Sequence, residues 1–218
     1  MVELRRHVRA KRMTLRVSAV DGAARLTLPK RSSLRSARRF LQDQEEWLRG
    51  HMGKTPERQV IRPGLQILLE GEPFLLVSHG AARVVLAPGK IFLPNARPAG
   101  KALEGFIKAR ARVVITNLAE ADATALGRRF GKISLRDPRS RWGSCNSDGN
   151  LMFSWRLLLA PKQVLRYVVA HEVAHLSEMN HAPAFWAEVA RLMPEYEASR
   201  RWLKANGGQL HRFDFKTP

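Results

Sequence analysis

The stretch Val168-Val169-Ala170-His171-Glu172-Val173-Ala174-His175-Leu176-Ser177-Glu178-Met179-Asn180-His181 decides how this chain is read. It contains His-Glu-x-x-His. On a helix, positions i and i+4 share one face a turn apart, so His171 and His175 can aim two imidazoles at one ion. Glu172 sits beside the first of them and can reach a water on that ion without ligating it, which is the place of a general base. Upstream, Val164, Leu165, Val168 and Val169 form the apolar stripe of an amphipathic helix opened by Pro161. The histidine pair therefore leaves the core side of that helix, away from bulk water. The pattern predicts one zinc ion per chain.

A catalytic zinc takes three protein ligands and keeps one position for water. His181 is the leading third candidate, with Asn180 able to turn the chain just before it. Glu188, Glu195 and Glu197, on later helices, are the alternatives. The metzincin pattern has the same histidine spacing but requires Gly where this chain has Glu178. A purely structural site would be closed by a fourth ligand, and Cys145 is the one cysteine that could serve.

Working outward, Pro183 opens a helix carrying Phe185, Trp186 and Val189, and Glu195 to Ala205 reads as a last helix with Tyr196 and Trp202. Before the metal helix, Lys132 to Arg136 and Leu151 to Leu159 read as strands around a Ser- and Gly-rich loop, Asp137 to Asn150. Residues 101–126 read as a long helix with Leu103, Phe106, Ile107, Val114, Leu118, Ala121 and Ala125 on one face and Gly127 past its end. Residues 65–93 show four short apolar runs broken by Gly and Pro, the pattern of a small meander. Residues 32–50 read as a helix capped by Ser32 or Ser33 and ended by Gly50 and Gly53. Its arginines come first and its acids last, against the helix dipole. Thr14–Ser18 and Ala24–Pro29 alternate around Asp21-Gly22, a hairpin signature. The expected fold class is α+β: a β-rich N-terminal region with one helix (1–98), then a zincin-like catalytic domain (99–218) with a small sheet and the metal helix. The boundary is placed in Asn95–Gly100.

The chain has 218 residues, long enough to bury a substantial core. No apolar run reaches the roughly 20 residues of a membrane span, and residues 1–6 have no secretory h-region. A single cysteine fits a reducing compartment, so a cytoplasmic protein is expected. Thirty-eight basic residues face 19 acidic ones, a formal charge of +19. An excess of that size attracts polyanions, so nucleic acid is a possible partner beside a peptide or protein substrate; no membrane partner is expected.

Ser140-Arg141-Trp142-Gly143-Ser144-Cys145, Trp155-Arg156-Leu157, Ala160-Pro161, Tyr167 to Leu176, Asn180-His181 and Phe185-Trp186 together resemble the YgjP-like metallopeptidase family. The chain is also similar to the SprT and WLM zinc-peptidase groups. The resemblance implies zinc ligands at His171, His175 and His181, with Glu172 as general base. One departure is visible: Ala182-Pro183 stands where the family often has a helix-capping Ser. Three neighbours are candidate substrate contacts. Arg141 could orient a substrate carboxylate or phosphate. Trp142 sits in the same loop, and Tyr196 could stabilise an oxyanion. The strand Leu151 to Trp155 could pair with an extended substrate or serve as a core strand. The expected activity is zinc-dependent hydrolysis of peptides. The alternatives are hydrolysis of a nucleotide or other phosphoanhydride, and a nucleic-acid-associated protein with a structural zinc.

Overall fold

The structure, a computed structural model, describes residues 2–18, 22–52, 57–80 and 82–216. It divides into two compact units, Met1–Glu57 and Arg58–Pro218.

In the first unit, β1 (Val2–His7), β2 (Thr14–Val17) and β3 (Ala24–Pro29) form a sheet in the order β1-β3-β2, with β3 parallel to β1 and antiparallel to β2. The β2–β3 pair is the expected hairpin, although Asp21 of its turn lies outside the described residues. Alternation sends Ala24, Leu26 and Leu28 inward and Arg25 outward. Ala37 of α1 (Leu34–Asp43) packs on Leu26 and Leu28, with Phe40 and Leu41 alongside. Ser33 caps α1, its side chain accepting from the Ser36 N–H at 3.0 Å. The single helix expected over 32–50 is broken at Gln44, and α2 (Glu45–Met52) follows. The break removes the dipole conflict: Glu45 and Glu46 become the first turn of a new helix, and Arg49 and His51 its last. Gly50 does not end that helix, and Gly53 lies outside the described residues.

The second unit starts with β4 (Gln59–Val60), β5 (Gln66–Leu69), β6 (Glu72–His79), β7 (Val85–Ala87) and β8 (Lys90–Pro94). The last four form a sheet in the order β5-β6-β8-β7. It is not the expected meander, because β8 is parallel to β6 and sits between β6 and β7. Between β5 and β6, Glu70 and Gly71 both have positive φ (54° and 88°), which suits a two-residue hairpin turn matched to strand twist. Glu70 is held there by Arg110 at 2.5 Å.

Arg110 belongs to α3 (Ala99–Ala125), whose buried stripe recurs every fourth residue: Leu103, Ile107, Ala111, Ile115, Ala119 and Ala123. Ala121 and Ala125, expected on that face, are exposed. Alanine is tolerated on either side of a helix, so it carried no phase. β9 (Ile133–Arg136), β10 (Gly143–Cys145) and β11 (Leu151–Ser154) form a third sheet, order β10-β11-β9. The chain expected as strand through Leu159 becomes a 3-10 turn at Trp155–Leu159, wholly buried. Then come α4 (Lys162–Ala174), α5 (Pro183–Leu192), α6 (Tyr196–Asn206) and β12 (Phe213–Asp214).

One core joins these parts. Ile67, Leu76 and Ile91 from the β5–β8 sheet share a cluster with Leu103 of α3 and Val169 of α4. The 98/99 boundary read from sequence therefore falls inside this core. Gly100, taken as part of a linker, is a packing residue: a Cβ there would overlap the Phe215 carbonyl. The unit closes on itself where β12 pairs with β4 and Arg58 meets Asp214 at 2.9 Å. Among the described residues, no helix is long and apolar enough to cross a membrane.

Candidate metal centre

α4 runs through the core with Val164, Val168, Val169, Ala170 and Val173 buried, and it packs against α3, α5, α6 and β10. His171 lies in its last turn, and His175 is the cap residue that ends it. The helix ends at Ala174, although Asn180 reads in the sequence as the residue that would break it. The His175 Nδ1 contacts the Glu178 carbonyl oxygen at 3.0 Å. If Nδ1 donates this bond, the Nε2 lone pair is left for a ligand. Asn180 then turns the chain, its Oδ1 accepting from the Ala182 N–H at 2.9 Å. Ala182 offers α5 no side-chain cap, and Pro183 opens the helix without an N–H that would need one.

That turn returns His181 to the other two. The ring centroids lie 5.2 Å (171–175), 5.0 Å (171–181) and 4.9 Å (175–181) apart. His181 Nε2 is 3.1 Å from His171 Nε2. The three offer ligand nitrogens within 4.8 Å of one another, so the group could hold a metal ion. Cys145, Glu188, Glu195 and Glu197 are not part of it. Fully buried Phe185 forms the wall behind the imidazoles, with ring centroids 4.9, 4.4 and 4.7 Å from His171, His175 and His181.

The electrostatics suit ligation. Burial, then the neighbouring His175, His181 and Arg200, pushes the His171 pKa down to about 3. Burial also lowers that of His175, against the bond to Glu178. Neutral imidazole is the ligating form, so these donors are ready for a cation. His171 Nδ1 is buried without a hydrogen-bond partner.

Glu172 is buried, and that burial raises its pKa to about 8, with Arg141 pulling the other way. Its carboxyl lies flat against Gly143, where a Cβ would come within 2.5 Å of Glu172 Cγ. Only glycine lets β10 run this close. Ser140, Arg141, Gly143, Ser144 and Cys145 form one wall of an open cleft of about 450 Å³, and His171, Glu172, His175, Met179 and His181 form the other. Part of the segment expected as loop is thus strand β10, and Ser140, Ser144 and Met179 are cleft residues that were given no role in the sequence reading. Cys145 lines the same wall, its thiol pKa raised by burial and by Glu172.

The other candidate contacts separate. Arg141 lines the cleft. Trp142 does not: its ring packs on Gly207 and lies 5.0 Å from His211. Tyr196 lies in an aromatic stack, 5.5 Å from Trp186 and 6.2 Å from Tyr167, beside the cleft wall. Leu151 to Ser154 is the central strand of its sheet, bonded on both sides, and has no free edge for a substrate. The edge that faces the cleft belongs to β10.

The profile of the YgjP-like metallopeptidase domain matches residues 11–206. The chain belongs to the YgjP-like metallopeptidase family. No curated protein matches the chain. Two solved structures are similar to part of it. One is the metallopeptidase zymogen abylysin of Pyrococcus abyssi, 21% identical over 42% of this chain and 93% of that one, TM-score 0.38. The other is the metallopeptidase zymogen jannalysin of Methanocaldococcus jannaschii, 17% identical over 44% and 96%, TM-score 0.37.

Proposed function

We propose that this chain is a zinc-dependent peptidase, with His171, His175 and His181 as the ligands and Glu172 as the general base. One observation supports it above the rest: three imidazoles converge beside a buried carboxyl in an open cleft. A zinc ion held there would polarise a substrate carbonyl and lower the pKa of bound water to about 7.

This chain's own groups do the remainder. Glu172, held by burial and by Gly143, takes a proton at its carboxylate and later returns it to the leaving amine. The unpaired edge of β10 lines up an extended peptide by backbone hydrogen bonds. Arg141 takes an acidic group of the substrate. Among the described residues no fourth ligand joins the histidine group, which would leave a zinc ion the open coordination position a catalytic site needs. The single free cysteine fits a reducing, cytoplasmic setting.

A second reading, phosphoanhydride hydrolysis, draws on Arg141, because a guanidinium in the cleft suits phosphate as well as carboxylate. A screen of zinc-loaded protein against peptides and nucleoside triphosphates separates the two. Glu172→Gln is expected to keep its zinc and to lose turnover by about 10²- to 10⁴-fold. Turnover at the wild-type rate in that variant would remove Glu172 from the mechanism.

A further inference from the structure

Between residues 5 and 39 the chain has twelve basic residues and one acid, Asp21. Among the described residues, Arg25 is the one of the twelve that pairs with a carboxylate, Glu3 at 2.8 Å. Arg6 donates to the backbone oxygens of Lys30 and Ser32, at 2.9 and 2.7 Å. The others include Arg12 and Arg16 at β2 and Arg35, Arg38 and Arg39 on α1, all exposed. Helix α1 has no acid in its first turn, and its cations crowd the end where the dipole is positive. Fold stability does not explain that arrangement, since it raises the energy of the free unit. A polyanion bound along it would lower that energy.

Between the same two elements lies a pocket of about 270 Å³. Met13 and Leu15 come from β2 and its approach, Phe40 and Gln44 from the end of α1, and Trp47 from α2; Arg12 stands at the rim. Trp47 is 38% exposed, although it is the largest apolar side chain of this unit. Its ring stacks on His51 at 4.2 Å and 25°, so it is held as a flat platform. The nearby acids are confined to residues 43–46, and Glu45 is occupied by Arg49 at 2.7 Å.

We propose that residues 1–57 form a binding surface for single-stranded nucleic acid. The pocket takes an unstacked base against Trp47 and Phe40, with Gln44 facing its polar edge. The cations of β2 and α1 take the phosphates. Charge alone would suit any polyanion, but an aromatic platform set among cations favours an unpaired base over a duplex or an acidic peptide. The surface is independent of the metal centre and of the reaction proposed there.

Fluorescence anisotropy on the full chain tests it, with labelled oligo(dT), oligo(U), a matched duplex and oligoglutamate as probes. At least one single strand should bind more tightly than the duplex and oligoglutamate; the tighter of the two names DNA or RNA. Binding should weaken tenfold or more from about 50 to 200 mM salt. Trp47→Ala should weaken it about tenfold. The triple change Arg35→Gln, Arg38→Gln and Arg39→Gln should flatten the salt dependence; lying on an exposed face, it decides the matter if Trp47→Ala loses its fold by circular dichroism. The proposal is overturned if neither strand binds at about 50 mM salt. It is equally overturned if duplex or oligoglutamate binds as tightly, or if both folded variants bind like wild type.

Discussion

The two units use arginine in opposite ways. In the second unit arginines are built into the fold. Arg156 is buried, bonds Asp137 at 2.6 and 3.0 Å, and donates to the Leu210 and Phe213 oxygens at 3.1 and 3.0 Å. Its guanidinium also lies 4.7 Å from the Trp155 ring and 5.2 Å from that of Phe215. Arg166 of α4 bonds both oxygens of buried Asp122 on α3, at 2.5 and 2.6 Å, and the Leu192 oxygen of α5 at 3.1 Å. Burial nevertheless raises the Asp122 pKa, the ion pair offsetting it only in part. In the first unit the arginines of α1 are exposed and, among the described residues, without a carboxylate. The same residue type is an internal tie at Arg156 and Arg166 and, on α1, an exposed cation with no carboxylate among the described residues. Net charge therefore says less than the position of each partner.

That contrast can be broken by measurement. Arg156→Ala should cost about 3 kcal/mol, because it leaves Asp137 and two carbonyls without their donor. Urea unfolding checks it, and a loss below about 1 kcal/mol would mean the network is not a structural tie. Gly143→Ala sets a Cβ against the Glu172 carboxyl. A loss of about 1 to 3 kcal/mol is expected, with turnover falling further than stability because the general base moves. Equal activity in that variant would break the argument for the close approach.

His211 gives a pH signature. Burial first, then Arg156 and Arg139 against Asp137, lowers its pKa from the ordinary 6.5 to about 4. The folded state thus keeps it neutral where the unfolded chain would protonate it. Its stabilising share is complete above pH 6.5 and drains as pH falls towards about 4. His211→Asn should flatten the stability profile in that window, relative to wild type; identical profiles would exclude the group. The smallest effect is expected in the first unit. Arg38→Ala should change stability by no more than about 0.5 kcal/mol. A loss matching that of Arg156→Ala would erase the contrast altogether.

The metal group was legible because its geometry is local. His171 and His175 are one helical turn apart, and a short turn at Asn180 brings His181 back, so spacing alone carried the prediction. That the histidine pair leaves the core side was legible for the same reason, from the apolar stripe on α4. The opposite wall was not legible. Gly143 matters because of a carboxyl 29 positions later, and nothing in Ser-Arg-Trp-Gly-Ser-Cys announces which of Arg141 and Trp142 faces the metal group. The break at Gln44 was half visible, as a charge order that no single helix would favour.

What the sequence determined by itself, then, was what neighbours along the chain can settle: the β2–β3 hairpin, the helices other than the break at Gln44, the three histidines and the carboxyl beside them. Tertiary structure alone decided the rest. It joined residues 58–98 to the catalytic core, threaded β8 between β6 and β7, presented β10 rather than β11 to the cleft, and sent Trp142 to His211. Each of these depends on contacts between residues far apart in the chain. Such contacts form by complementarity of shape and charge between whole surfaces, and a residue's own spacing carries no record of them.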